Sequence, residues 1–170
     1  MQRIGIDARF FGPKDKGFGR YTENLIKELE KIPNNNLNFF IFLRKQRFND
    51  YIPQKSNFHK VLADYKWYGI KEQIFYPLQL KKYNLDLMHF THFNVPILYR
   101  KKFVVTIHDL ILRYFPKNIL KMPAYFVAFK HAIKNSEKII AISEYTKNDI
   151  LKFYPAIDGD KIRVIYEGVS

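Results

Sequence analysis

The chain has 170 residues, 47% of them apolar, with 16 Phe and 12 Tyr, which fills the core of one domain and excludes a disordered chain. It has no cysteine, so it carries no disulfide framework and no thiolate metal site, and a reducing, cytoplasmic setting is expected. The 29 basic and 16 acidic residues leave a formal net charge of +13, which predicts an anionic partner: nucleic acid, an acidic membrane surface or a phosphorylated small molecule.

Arg3 to Ala8 reads as a first strand, entered without a charged region and apolar signal core, and nowhere does an apolar run approach the roughly 18 residues of a membrane span. A loop containing Gly17 and Gly19 follows. Arg20 to Ile32 is then a predicted helix, with Tyr21, Leu25, Leu29 and Ile32 on one face and Glu23 and Lys27 at a favourable i,i+4 spacing. Pro33 and the asparagines at 34–36 end it. Asn38 to Leu43 is a buried strand in type, and Lys60 to Ala63 a weaker one. Ile70 to Lys82 reads as a helix kinked at Pro77, and Asp86 to Phe90 and Lys102 to Ile107 as strands that end in histidine-bearing turns.

In the second half, Met122, Tyr125, Phe126, Phe129 and Ile133 recur at helical spacing across Ile119 to Lys134, with Asn135 as a stop before the strand Lys138 to Ile142. Ser143 looks like the N-cap of a helix that runs to about Phe153 and is closed by Pro155. Asp158-Gly159-Asp160 leads into a last strand, Ile162 to Tyr166. Strands alternating with helices predict an α/β, Rossmann-like domain: a mostly parallel sheet with helices on both faces and right-handed crossovers. Such sheets bind ligands beyond the carboxyl ends of their strands, where Gly17, Gly19, His92, His108 and Ser143 fall.

Each of these residues has two readings. Gly17 and Gly19 lack a Cβ and would let the backbone approach a phosphate beside the amides that open the helix at Arg20, or they simply make a tight turn. Arg20 pairs with phosphate or a sugar hydroxyl, or is a solvated helix-start arginine. His108 ends a buried strand as a functional group or as a satisfied structural histidine. Asp109 fixes the loop or the imidazole, or is a turn carboxylate. Ser143 is explained by capping alone, and His89 lies within an apolar strand as a core residue. No metal site is expected, because there is neither a His-Glu-x-x-His helix nor a carboxylate-rich loop. A P-loop and a dinucleotide fingerprint are also absent, which argues against nucleotide hydrolysis and oxidoreduction. The basic clusters at Arg44, Lys45 and Arg47, at Lys81 and Lys82, and at Arg100 to Lys102 come without a nucleic-acid motif, so no nucleic acid is expected.

One ordered series of motifs spans nearly the whole chain: Gly5-Ile6-Asp7-Ala8-Arg9, Gly17-Phe18-Gly19-Arg20-Tyr21, His92-Phe93-Asn94-Val95-Pro96, Thr106-Ile107-His108-Asp109-Leu110, Ala141-Ile142-Ser143-Glu144-Tyr145-Thr146 and Val164-Ile165-Tyr166-Glu167-Gly168-Val169. It resembles the N-terminal domain of family 4, group 1 glycosyltransferases. The resemblance implies the acceptor-side half of a two-domain GT-B enzyme, with residues 1–170 forming a single domain and the donor-binding C-terminal domain, which carries a Glu-x7-Glu motif, outside this chain. It implies retaining transfer of a hexosyl or mannosyl group from a nucleotide sugar, a cosubstrate rather than a cofactor, to a glycan or lipid-linked glycan in surface polysaccharide or glycolipid assembly. The isolated domain is then expected to be inactive.

For the residues, the resemblance implies catalytic positions at His108 and Asp109. Donor phosphate or sugar contacts are implied at Gly17, Gly19, Arg20 and Ser143, and acceptor contacts at His92, Asn94 and Tyr21. The aromatic segment Leu112 to Phe129, with Arg113, Lys117 and Lys121, reads either as a peripheral contact with the inner face of the membrane or as an amphipathic helix packed on the sheet. Two other classes stay open: a non-catalytic subunit of a split transferase, and a basic module that binds a membrane surface or nucleic acid.

Overall fold

The structure is a computed structural model that describes residues 1–33, 36–115 and 122–168. The apolar runs become β1 (Gln2–Asp7), β2 (Leu37–Leu43), β3 (Phe58–Leu62), β4 (Leu87–Phe90), β5 (Phe103–Ile107), β6 (Lys138–Ala141) and β7 (Ile162–Val164). The helical patterns become α1 (Lys16–Lys31), α2 (Ile70–Lys81), α3 (Ile111–Tyr114), α4 (Met122–Asn135) and α5 (Glu144–Phe153). All strand pairs are parallel, in the order β3-β2-β1-β4-β5-β6-β7, the Rossmann-like α/β arrangement predicted above. The order reverses between β1 and β4, and that reversal opens a crevice at the carboxyl ends of these two strands.

Side-chain alternation assigns the two faces. On β2, Phe39, Ile41 and Leu43 point to the core that holds Ile26 of α1, while Phe40 and Phe42 point to the larger core that holds Tyr76 of α2, Phe129 and Ile133 of α4, and Ile150 of α5. Helices therefore cover both faces.

Several boundaries differ from the sequence expectations. The first helix begins at Lys16, four residues before Arg20, after a 3-10 turn at Pro13–Asp15, so Gly17 and Gly19 lie inside its first turns and not in a preceding loop. The cause is close packing: Gly19 is buried, its carbonyl accepts the Gly12 amide at 3.0 Å, and a Cβ at Gly19 would lie 2.1 Å from the Gly12 carbonyl oxygen. β3 starts at Phe58, whose ring stacks on Phe39 at 4.4 Å; the polar His59 and Lys60 obscure this edge strand in the sequence. β7 ends at Val164, two residues early. Met122–Asn135 packs Tyr125, Phe126 and Phe129 against the core, and Arg113 lies over the Phe126 ring at 4.1 Å, as the packed-helix reading of that segment requires. Lys117, Lys121, Ile119, Asn34, Asn35, Val169 and Ser170 lie outside the described residues.

Candidate functional site at the strand ends

The exit of β1 is built on a buried ion cluster. Arg9 is 1% exposed and forks onto Asp7, with Nε 2.8 Å from Oδ1 and Nη2 2.8 Å from Oδ2. Its Nη1 donates to Glu72 Oε1 of α2 at 2.5 Å, and its guanidinium lies over the Tyr76 ring at 4.2 Å. Burial alone would lower the Arg9 pKa, but Asp7, Tyr76 and Glu72 outweigh it and push it upward. Glu72 is itself fully buried and also accepts from Asn94 Nδ2 at 2.6 Å and from the Tyr68 amide at 2.7 Å. One carboxylate thus ties together α2, the β1 exit and the β4 exit.

The exits of β4 and β5 interlock beside it. Thr91 Oγ1 donates to the Asp7 carbonyl at 2.7 Å and sits 3.1 Å from Thr22 Oγ1 of α1. His108 Nε2 is 2.9 Å from the Thr91 carbonyl oxygen, which only accepts, so Nε2 carries a proton. His108 Nδ1 lies 2.9 Å from Glu167 Oε1. Below them Thr106 Oγ1 bridges His89 Nε2 at 2.8 Å and Tyr21 OH at 3.0 Å.

His92 accepts the Asn94 amide at Nδ1, 3.3 Å away, which leaves its proton on Nε2, and Nε2 has no partner among the described residues. Burial first, then the neighbouring His108 and Arg9, lower the His92 pKa to about 3. Burial and His108 likewise lower His89 to about 4. Both are neutral imidazoles at ordinary pH.

Aromatic rings wall the crevice. Phe18 of α1 packs 4.8 Å from both His92 and His108, and Tyr21 meets His108 edge-on at 4.9 Å. Phe10 stacks flat on Trp67 at 4.1 Å and lies 5.2 Å from His92, and Arg44 lies over the Trp67 ring at 4.6 Å. The first turn of α1 therefore brings its positive dipole end beside the two histidines.

Of the residues singled out in sequence, His92, Asn94, His108 and Tyr21 converge here. Gly17 is exposed on the first turn with nothing within 4 Å of an added Cβ, whereas Gly19 is buried against the Gly12 loop. Arg20 is exposed and has no ion pair among the described residues. Asp109 is exposed and accepts the Ile111 amide at 3.0 Å; the group on the His108 ring is Glu167 instead. Ser143 is the N-cap of α5, accepting from the Thr146 amide at 3.1 Å, and Thr146 Oγ1 in turn donates to the His108 carbonyl at 3.0 Å. Sequence reasoning assigned no role to Arg9, Glu72, Thr91 or Glu167. Two signals were present: Asp7 and Arg9 flank one residue at a strand end, and Glu72 is the only acid between residues 65 and 85, in an apolar helix.

Among the described residues no group of three or more His, Asp or Glu could hold a metal ion, and no helix is long and apolar enough to cross a membrane.

Comparison with known proteins gives two results that bear on this crevice. The model of glycosyltransferase family 4 matches residues 16–170. A solved structure of a variant of the wall teichoic acid polymerase TagF superimposes with a TM-score of 0.55 at 12% identity over 98% of this chain, a likeness of fold. The chain spans 38% of the length of that polymerase. No match was found among curated proteins.

Proposed function

The chain belongs to glycosyltransferase family 4, and from that premise we propose that it is the acceptor-side domain of a retaining transferase. It would move a hexosyl or mannosyl group from a nucleotide sugar to a glycan or lipid-linked glycan, in polysaccharide or glycolipid assembly. The observation that carries this reading is the convergence of His92, His108, Tyr21 and the first turn of α1 at the reversal between β1 and β4. Sugar transfer builds positive charge at the anomeric carbon and negative charge on the departing diphosphate, so fixed donors near the phosphate serve it better than a strong base. The positive end of α1 at Gly17 supplies such donors, with no side chain in the way.

His108 has its Nε2 fixed by Thr91, so Nδ1 is the atom left to meet a donor hydroxyl once Glu167 turns aside. The free Nε2 of His92 and the flat Phe10–Trp67 stack suit the hydroxyls and apolar faces of an acceptor sugar. A nucleotide-sugar-binding domain, in the same chain or in a partner, would complete the site, and residues 1–170 alone would not turn over.

The test is nucleotide release from a panel of nucleotide sugars, with glycan and lipid-linked acceptors, using the protein with and without the donor-binding domain. Acceptor-dependent release that needs both parts and falls with His108→Ala supports the reading. Full transfer by residues 1–170 alone, or transfer indifferent to His108, overturns it.

A further inference from the structure

Tyr68 presents its ring from a backbone conformation that disfavours any residue with a Cβ. Its φ is 59°, in the left-handed region, and the chain holds it there by donating the Tyr68 amide to Glu72 Oε2 at 2.7 Å. Glu72 binds Arg9 and Asn94 through Oε1, so the buried cluster that fixes the exits of β1 and β4 fixes Tyr68 as well. Yet the side chain is 60% exposed, and its hydroxyl has no hydrogen-bond partner among the described residues. The strain secures no burial of the ring, and a strained residue that displays its side chain beside a crevice points to a ligand.

The Tyr68 ring lies 6.3 Å from Phe93, which packs edge-on against Tyr125 of α4 at 4.8 Å and lies 4.2 Å from His92. Adjacent residues of the β4 exit thus lead two ways. His92 meets Phe10 and Phe18 on the α1 side, and Phe93 meets Tyr68 and Tyr125 on the side of α2 and α4. One strip of rings crosses the strand ends.

Tyr125 is an independent sign of a ligand. Its ring is 8% exposed, but its hydroxyl has no partner among the described residues, where a buried phenol ordinarily finds one. Burial first, then Asp109, Tyr154 and Tyr68, push its pKa upward, so it is a neutral O–H donor. Asp109 and Tyr68 are both exposed, so the phenol lies towards the rim of the crevice. Asp109 spends Oδ1 on the Ile111 amide and keeps Oδ2 open. Two phenols and a carboxylate beside a floor of rings suit the hydroxyls and apolar face of a neutral sugar, and the carboxylate repels an anionic one.

We propose that Tyr68, Phe93 and Tyr125 form a second sugar subsite beside His92, which holds a neutral ring adjacent to the sugar that receives the transferred group. The acceptor is therefore at least a disaccharide, a clause that rests on the proposed transferase function; glycan binding at the subsite does not.

The experiment presents the intact chain, without donor, to an array of neutral and acidic monosaccharides and oligosaccharides. Affinities are then taken by titration on the fluorescence of Trp67, the one tryptophan of the chain and the neighbour of Tyr68. Neutral disaccharides should bind at least about tenfold more tightly than their constituent monosaccharides. Tyr68→Ala should cancel that gain and Tyr125→Phe should reduce it. Tyr68→Ala keeps the amide bond to Glu72 and Tyr125→Phe keeps the packed ring, so both variants should match the unmodified protein in urea midpoint. Equal affinity for monosaccharides and disaccharides overturns the proposal, as do a gain that survives both substitutions, a preference for acidic rings, or binding of no glycan at all. A length-dependent gain without any transfer would overturn the transferase reading and leave the subsite. Transfer to monosaccharides as readily as to disaccharides would overturn the subsite and leave the transferase.

Discussion

The His108 Nε2 donates to the carbonyl oxygen of Thr91 across a 2.9 Å gap, joining the exit of β5 to the exit of β4. The bond fixes which nitrogen of His108 carries the obligatory proton, and so which nitrogen is left for chemistry. Thr91 Oγ1 carries the link on to Asp7 at the exit of β1. Three adjacent strands are therefore in register where the crevice opens.

Replacing His108 should separate activity from folding. His108→Ala leaves the Thr91 carbonyl buried without its donor, a loss of about 1–3 kcal/mol in stability. If His108 orients the donor sugar, kcat should fall by about 10²–10³, as for other fixed donors that act in the transition state. Glu167→Gln should leave the urea midpoint nearly unchanged and alter kcat, because it replaces the carboxylate at Nδ1 with an amide. Kinetics identical to those of the unmodified protein would show that Glu167 does not govern the histidine.

The Arg9 cluster should be among the most mutation-sensitive points of the fold. Arg9→Met strands two carboxylates, Asp7 and Glu72, in a buried site and should cost about 3–5 kcal/mol. Glu72→Gln keeps one acceptor oxygen, enough for Arg9 and Asn94, but turns an NH2 towards the Tyr68 amide, and should cost less, about 1–3 kcal/mol. Urea unfolding followed by circular dichroism decides the order. Equal losses would show that the charge of Glu72 matters more than its hydrogen bonds.

The neutral histidines predict an acid-sensitive stability. His92 and His89 titrate near 3 and 4 in the folded chain against about 6.5 unfolded, so below pH 6.5 the unfolded chain binds protons that the folded chain refuses. Stability should be at its full value above that pH and fall as the solution is acidified towards pH 4 and then 3, by at most about 1.4 kcal/mol per pH unit for each histidine. His92→Asn cannot take up a proton, so the difference in unfolding free energy between it and the unmodified protein should shrink steadily between pH 6.5 and 4. A constant difference over that window would mean that His92 is charged or exposed.

Much of the fold was legible because its signals are local. The buried strands Asn38 to Leu43 and Lys102 to Ile107 are continuous apolar runs, and Ser143 announces its cap through its position alone. The edge strand β3 was harder to place, since His59 is exposed and Lys60, on the opposite face, spends its ammonium on the Phe48 and Tyr51 carbonyls, so neither position shows an apolar pattern in sequence. The site was legible only in part. His92 and His108 stand at strand ends, so their meeting follows from the topology. Glu72 lies 63 residues from Arg9 and 22 from Asn94, and only the tertiary packing of α2 shows that it binds both. Glu167 is likewise 59 residues from His108.

The two glycines that open α1 should respond in opposite ways to the same methyl group. An added Cβ at Gly19 would sit 2.1 Å from the Gly12 carbonyl oxygen and 2.7 Å from Asp15 Cβ, and backbone cannot rotate away as a side chain can. Gly19→Ala should therefore push the helix from the Gly12 loop and lower stability by about 1–3 kcal/mol. At Gly17 the Cβ meets nothing within 4 Å, and alanine is the better helix former, so Gly17→Ala should leave stability equal or raise it by up to about 1 kcal/mol. Under the proposed function the exposed first turn faces the donor diphosphate, so Gly17→Ala should nonetheless raise KM for the nucleotide sugar while the acceptor KM stays put. Thermal unfolding of both variants, with donor and acceptor titrations of Gly17→Ala, separates the two roles. A stable Gly17→Ala enzyme with an unchanged donor KM would remove the first turn of α1 from the phosphate site and leave both glycines to helix packing.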